Sequence, residues 1–207
     1  MHIPQPKFTQ AGHLEIINDL TRLIQQPSAD QLPPCPNCKQ TTKVTDCSPK
    51  CSGAAEALSE DPNLHPIEPN IVPLVFELTS MRLVQTCWSC EGHASFDGGI
   101  FKMPQISFYT EKPFYAQLIN MYLKKIHWKK QIQYPWEVCL SDFGQTLEIT
   151  YTIKCDLSCI DNPTLSIMQS DLQAMAKDFS TNIKNYAQEL ISQINNQSSI
   201  SSNPIGQ

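Results

Sequence analysis

Cysteine pairs with the spacing of metal ligands are the clearest chemical signal in this 207-residue chain, which contains nine cysteines. Cys35 and Cys38 form a C-x2-C pair, and Cys47 and Cys51 follow as a C-x3-C pair. A C-x2-C spacing lets two thiolates occupy adjacent corners of a tetrahedral zinc ion. The surrounding segment is rich in Pro, Ser and Asp and has no sustained periodicity, so we expect zinc ligation to order it in place of a core.

A second group of candidate ligands follows a predicted strand. Cys87, Cys90 and His93 lie within one short segment and would supply three ligands of a zinc ion. The fourth ligand would be Cys155, Cys159 or water. A protein ligand in this position is typical of a structural site, whereas water would permit Lewis-acid chemistry.

The cysteine pairs also allow a different grouping. Cys35 and Cys38 could join Cys87 and Cys90 as the two knuckles of a zinc ribbon, which would leave the C-x3-C pairs for a second site; the spacing does not select between these arrangements. Glu91 lies beside the candidate ligands and is a weak candidate for a general base acting on metal-bound water. We favour a solvated turn residue, because zinc bound by Cys and His is more often structural.

The elements that must position these residues alternate between helical and strand periodicity. Their order predicts the α+β class: a mostly antiparallel sheet with covering helices, a cysteine-rich zinc-binding N-terminal region and a long C-terminal helix. The strongest strand signal is an antiparallel hairpin of two alternating segments. Predicted helices cover residues 13–26, 70–82, 110–128 and 165–194, and predicted strands cover residues 83–88, 105–109, 136–140 and 146–154.

The C-terminal segment carries apolar residues at helical spacing, and the step from Phe179 to Ile183 departs from a strict heptad. We expect one continuous helix whose apolar stripe is covered by the same chain or by a second copy. The Asn-, Gln- and Ser-rich tail is predicted to be disordered. The predicted boundaries are residues 1–66 for the N-terminal helix and metal-binding region, 67–162 for the α+β core, 163–194 for the long helix and 195–207 for the tail.

Charge and cysteine usage restrict the classes of function. The formal net charge of −5 argues against a protein built mainly to neutralise nucleic-acid phosphates or to lie on an anionic membrane. The first ten residues lack the pattern of a secretory signal, and no apolar run reaches the length that a bilayer requires. Nine cysteines without an export signal therefore predict a cytoplasmic protein whose thiols serve metal binding or burial.

Residues 112–136 contain five lysines and no acidic residue, together with His127, Trp128, Tyr134 and Trp136. Lysines interleaved with aromatic residues can contact a single-stranded nucleic acid through phosphate charge and base stacking. Lysines near a helix C-terminus are also favoured by the helix dipole, and the lack of arginine weakens the nucleic-acid interpretation.

Taken together, the sequence predicts a zinc-binding protein that acts by binding another macromolecule. The expected partner is a protein, including self-association through residues 165–194. The first alternative is a metal-dependent enzyme centred on Cys87, Cys90 and His93. The second, less favoured, is nucleic-acid binding through residues 112–136, and no membrane contact is expected.

Overall fold

The computed structural model describes residues 10–26, 67–141, 149–158 and 160–201. These ranges confirm the α+β class: they contain five helices, a four-stranded antiparallel sheet and a two-stranded sheet. The helices are α1 (Gln10–Gln25), α2 (Val72–Ser80), α3 (Pro113–Trp128), α4 (Leu165–Ala176) and α5 (Phe179–Ser201), and the strands are β1 (Val84–Cys90), β2 (His93–Ala94), β3 (Ile100–Lys102), β4 (Gln105–Thr110), β5 (Trp136–Ser141) and β6 (Thr150–Cys155).

The larger sheet has the strand order β1-β4-β6-β5, and every neighbouring pair is antiparallel. The predicted hairpin is confirmed, because β5 and β6 pair from Trp136 opposite Cys155 to Ser141 opposite Thr150. The register places Ile106 beside Ile153 on one face of the sheet, where both are buried. Strand β1 lies at the edge of this sheet and pairs only with β4 among the described strands.

Helices α2, α3 and α4 cover this sheet within the unit formed by residues 27–181. Helix α3 packs on β4 and β5, and α2 packs on β1 and α4. The core between them includes Phe108, which stacks on Tyr151 with a centroid distance of 5.8 Å, and the fully buried Leu118 and Leu123. Alternating apolar residues in the strands and helical spacing in α3 thus meet at one interface.

The single helix predicted over residues 165–194 is wrong, because the chain forms two helices. Lys177 is extended and Asp178 has a φ of 55°, so the helical path is interrupted there. The buried Glu77 explains the new start: its Oε2 accepts hydrogen bonds from the backbone N–H and the hydroxyl of Ser180, both at 2.8 Å. A carboxylate at this position satisfies helix N-terminal donors and complements the helix dipole. Phe179 then packs edge-on against Tyr122.

The apolar stripe of the two C-terminal helices is covered within one chain over most of its length. The buried residues are Met168, Leu172, Met175, Phe179, Ile183 and Ala187.

Among the described residues, a second compact unit combines residues 10–26 with 182–201. Leu20, Leu23 and Ile183 are buried, and Lys184 Nζ donates a hydrogen bond to the carbonyl oxygen of Gln26 at 2.6 Å. Helix α5 extends to Ser201, into the segment that composition predicts to be disordered. No helix in the described ranges has the length and hydropathy of a membrane span.

Candidate metal centre

Three side chains with metal-binding atoms converge at the end of strand β1. The ligand atoms of Glu68, Cys90 and His93 all lie within 4.8 Å of one another. Cys90 is the last residue of β1, His93 is the first residue of β2, and Glu68 lies shortly before α2. Carboxylate, thiolate and imidazole are all ligands of zinc in proteins. The group could therefore hold a metal ion.

The turn between β1 and β2 brings the thiol and the imidazole together. Gly92 has a φ of 86°, a conformation that favours glycine. A Cβ atom at this position would lie 2.6 Å from Leu165 Cδ1 and 2.7 Å from Pro104 Cδ. The Gly92 N–H also donates a weak hydrogen bond to Cys90 Sγ at 3.4 Å. Only glycine fits this turn, so its presence fixes the approach of Cys90 to His93.

Reciprocal hydrogen bonds hold Glu68 against the same turn. The Glu91 N–H donates to Glu68 Oε2 at 2.6 Å, and the Asn70 N–H donates to Glu91 Oε2 at 2.7 Å. His93 Nε2 lies 2.9 Å from Glu68 Oε1. The amide of Gln169 adds a hydrogen bond to the Glu91 carbonyl oxygen at 3.2 Å. The Glu91 carboxylate thus positions the chain that carries Glu68, and Glu91 is not a member of the ligand group.

Burial and charge differ among the three side chains. Cys90 is only 2% exposed, whereas the side chains of His93 and Glu68 are 45% and 30% exposed. Burial raises the pKa of the Cys90 thiol; the hydrogen bond from Gly92 opposes this shift, and the negative charge of Glu68 adds to it. A bound cation would reverse this balance, because a metal ion favours the thiolate form of its ligand.

The other predicted ligands of this region lie elsewhere. Cys87 is exposed at a register shift between Thr86 and Trp88, and the group that includes Cys90 and His93 does not include it. Cys155 is buried opposite Trp136 in the β5–β6 pair. Burial, together with the charges of Asp171 and Asp156, raises its pKa to about 12. Outside the described residues lie Cys35, Cys38, Cys47, Cys51 and Cys159.

Sequence reasoning identified Cys90 and His93 but missed Glu68. The first two are near neighbours, so their spacing is a local signal. Glu68 is an isolated acid in a proline-containing segment, and no motif connects it to the distant cysteine. A candidate ligand of this kind becomes visible only when the fold brings the two segments together.

The three donor atoms are close enough to share one metal ion. Zinc bonds of about 2.0–2.3 Å place tetrahedral donor atoms roughly 3.3–3.8 Å apart. Donor atoms within 4.8 Å of one another therefore need only small side-chain adjustments to bind one ion. Solvent reaches His93 and Glu68, so water or a further ligand would have access to a metal ion bound there.

No protein-family model, curated protein or solved structure matches the chain. The fold and the site alone define its class: an α+β protein with a candidate Glu/Cys/His metal centre at the end of an edge strand.

Proposed function

We propose that the protein binds a zinc ion through Glu68, Cys90 and His93, and that this ion fixes the β2–β3 hairpin for contact with another protein. The observation that carries the proposal is the convergence of three different metal-binding side chains within 4.8 Å.

The mixed donor set favours zinc over other common ions. Calcium and magnesium prefer oxygen ligands, and the Cys90 sulfur is a poor partner for either. Thiolate and imidazole together suit zinc, and a carboxylate is compatible with it.

The position of the ion would give it a structural effect. It would join the segment before α2 to the turn that leads directly into β2 and β3, which form a separate two-stranded sheet. A two-stranded hairpin is at best marginally stable in water without further support. Phe96 and Phe101 on this hairpin are fully and largely exposed. Exposed aromatic residues are enriched in protein interfaces, where they act as binding anchors.

A metal-dependent enzyme is the second candidate function. The exposure of His93 and Glu68 supports it, because water could fill the fourth position and be activated there. The two functions differ in a measurable property: an activated zinc-bound water ionises near pH 7. A cobalt-substituted protein with a pH-dependent visible spectrum in that range would favour the enzyme.

Zinc titration of ligand variants tests the proposed site. Glu68→Ala, Cys90→Ser and His93→Ala should each abolish one zinc-binding transition that the unaltered chain shows in calorimetry. Cys87→Ser and Cys139→Ser are the matched controls, because both change a thiol outside the group. Unchanged zinc binding in Cys90→Ser, or an equal loss in Cys87→Ser, would refute the assignment.

Hydrogen exchange tests the proposed effect on the hairpin. Chelation of zinc should increase amide exchange in β2 and β3 while the amides of the β5–β6 pair keep their protection, since that pair lies at the other side of the sheet. Equal exchange of the hairpin with and without zinc would show that the ion does not stabilise it.

A further inference from the structure

The two tryptophans of the lysine-rich segment have opposite environments. Trp128, the last residue of α3, is 89% exposed, whereas Trp136 is 1% exposed and donates its indole N–H to Asp171 at 3.1 Å. The sequence interpretation that grouped both as contact residues is therefore wrong for Trp136, which belongs to the core. One exposed apolar residue is ordinary on a protein surface. Whether Trp128 binds a ligand depends on the side chains around it.

A hollow of about 630 Å³ lies beside Trp128, and it is lined by His127, Trp128, Lys130, Ile132 and Gln133. Ile132 is buried, while the rest of the lining offers aromatic and polar groups. Clefts of roughly 300–1,000 Å³ are typical of sites for small ligands. The hollow is therefore large enough for a nucleobase stacked on the indole ring.

Lys130 lines this hollow, and further lysines lie nearby in the same segment of the chain. Lys124, Lys129 and Lys130 are exposed, and residues 112–136 contain no acidic residue. A local concentration of one charge sign attracts ligands of the opposite sign even when the whole chain is acidic. A polyanion is the complementary partner.

Lys130 occupies a backbone position that normally favours glycine. It follows the end of α3 with a φ of 56°, its N–H donates to the His127 carbonyl at 2.8 Å, and the Gln131 N–H donates to the Ile126 carbonyl at 2.9 Å. These bonds form a Schellman motif, in which the left-handed residue is usually glycine. A lysine here is strained by comparison, yet it places a positive charge in the lining of the hollow. Such local strain tends to occur at functional positions.

We propose that this lysine–tryptophan surface, formed by Lys124, Trp128, Lys129 and Lys130, binds single-stranded nucleic acid. A base stacks on Trp128, and the lysines contact the neighbouring phosphates. An unpaired base is required because paired bases do not expose their faces. Lysines act as point charges without the bidentate geometry of arginine, so binding tolerates different sequences. The inference does not depend on the proposed zinc site.

The structure favours nucleic acid over an anionic membrane. A helix that lies on a membrane needs a broad exposed apolar face. The apolar residues of α3, which include Leu118, Ile119 and Ile126, are buried in the core instead. Trp128 at the helix end remains as an isolated stacking platform among charges.

Fluorescence anisotropy with a labelled oligothymidine tests the stacking contact. Trp128→Ala should weaken binding by roughly five- to 150-fold, the effect of losing one base–aromatic stack. Met121→Ala, which removes a partly exposed apolar side chain from the same helix, should leave the affinity unchanged. Tryptophan emission should decrease on binding in the unaltered chain and in Met121→Ala.

A second pair of variants tests Lys130. Lys130→Gly should raise the thermal midpoint and weaken oligothymidine binding, and it should reduce the slope of log K against log salt concentration by about 0.7. Arg82→Gly is the control, because Arg82 also has a positive φ, of 55°, and loses one positive charge. It should raise the thermal midpoint without weakening binding.

Several results would overturn the proposal. The unaltered chain could fail to bind oligothymidine, or Trp128→Ala and Lys130→Gly could bind as well as it does. If heparin bound as tightly as oligothymidine, and Trp128→Ala weakened the binding of neither, the surface would be a non-selective charged patch. Tighter binding to phosphatidylserine vesicles than to oligothymidine would identify a membrane surface instead.

Discussion

Two carboxylates, Glu68 and Asp171, each hold one end of a strand, but they do so in different surroundings. Asp171 is 2% exposed and accepts three hydrogen bonds, from the backbone N–H groups of Gln133 and Tyr134 and from the indole of Trp136. Glu68 is 30% exposed and accepts one backbone hydrogen bond, from Glu91, while its other oxygen faces His93.

The two carboxylates differ in whether their partners carry a lone pair that can bind a metal ion. The partners of Asp171 are N–H groups without a free lone pair, so they satisfy the carboxylate but cannot help it to bind a cation. The partners of Glu68 include an imidazole, and the Cys90 thiol lies beside it. Both can present lone pairs to a metal ion. A similar carboxylate-to-backbone contact therefore has a purely structural role at Asp171 and forms part of a candidate metal centre at Glu68.

The largest expected effect on stability comes from removing the hydrogen bonds that Asp171 accepts. Asp171→Ala leaves the buried indole N–H of Trp136 and two part-buried backbone N–H groups without their acceptor, so we expect it to lower the free energy of unfolding by about 3–5 kcal/mol in urea denaturation. Asp161→Ala, at an exposed aspartate nearby in sequence, should change it by less than about 0.5 kcal/mol. Equal, small effects of both variants would remove the distinction drawn for Asp171.

Removing a candidate ligand should have a smaller effect, which appears as the loss of a zinc-dependent gain in stability. At zinc concentrations about 100-fold above the dissociation constant, binding stabilises the folded state by about 2.7 kcal/mol. Cys90→Ser should lose this zinc-dependent increment, whereas Cys87→Ser should retain it. The increment is measured as the difference between urea unfolding curves with zinc and with chelator. Its persistence in Cys90→Ser would contradict the role of Cys90.

Glu91 tests whether the Glu68 carboxylate must be held in place. Glu91→Ala removes the acceptor for the Asn70 N–H, so it should cost about 1 kcal/mol of stability and weaken zinc binding by roughly 10- to 100-fold. Glu91→Gln keeps an acceptor oxygen and should preserve most of both. If Glu91→Gln proved as damaging as Glu91→Ala in zinc calorimetry, the negative charge would matter more than the hydrogen bond.

The smallest effect is expected at Cys155, on the same side of the sheet as Asp171. Its pKa is raised from 9.0 to about 12 by burial, Asp171 and Asp156, so the folded state disfavours the thiolate. The resulting stabilisation is constant below about pH 9 and decreases as pH rises towards 12. Cys155→Ala should therefore show a shallower loss of stability above pH 9 than the unaltered chain. Parallel pH profiles in chemical denaturation would argue against this shift.

Local periodicity predicted those helices and strands that bury one face, because their apolar residues recur at a regular spacing. The alternation around Ile153 predicts β6, and the helical spacing around Leu118 predicts α3, because each pattern reflects burial against one face. The break at Asp178 was missed because the capping carboxylate of Glu77 comes from another helix. Such a contact leaves no trace in local spacing.

The candidate site shows the same limit. Cys90 and His93 were predicted because their spacing is short, and Gly92 between them supports the turn. Cys87 has an equally suggestive spacing, but it is exposed at a register shift in β1 and lies outside the ligand group. Glu68 has no spacing signal at all. Local motifs therefore identified two members of the group, and the fold determined the third.

X-ray absorption at the zinc edge tests the central claim most directly, in a chain whose cysteines at residues 35, 38, 47 and 51 are replaced by serine. The account predicts bound zinc with one sulfur at about 2.3 Å and the remaining ligands nitrogen or oxygen at about 2.0–2.1 Å. The sulfur shell should disappear when Cys90→Ser is added. Absence of bound zinc, or a sulfur shell that survives Cys90→Ser, would contradict a metal centre formed by Glu68, Cys90 and His93.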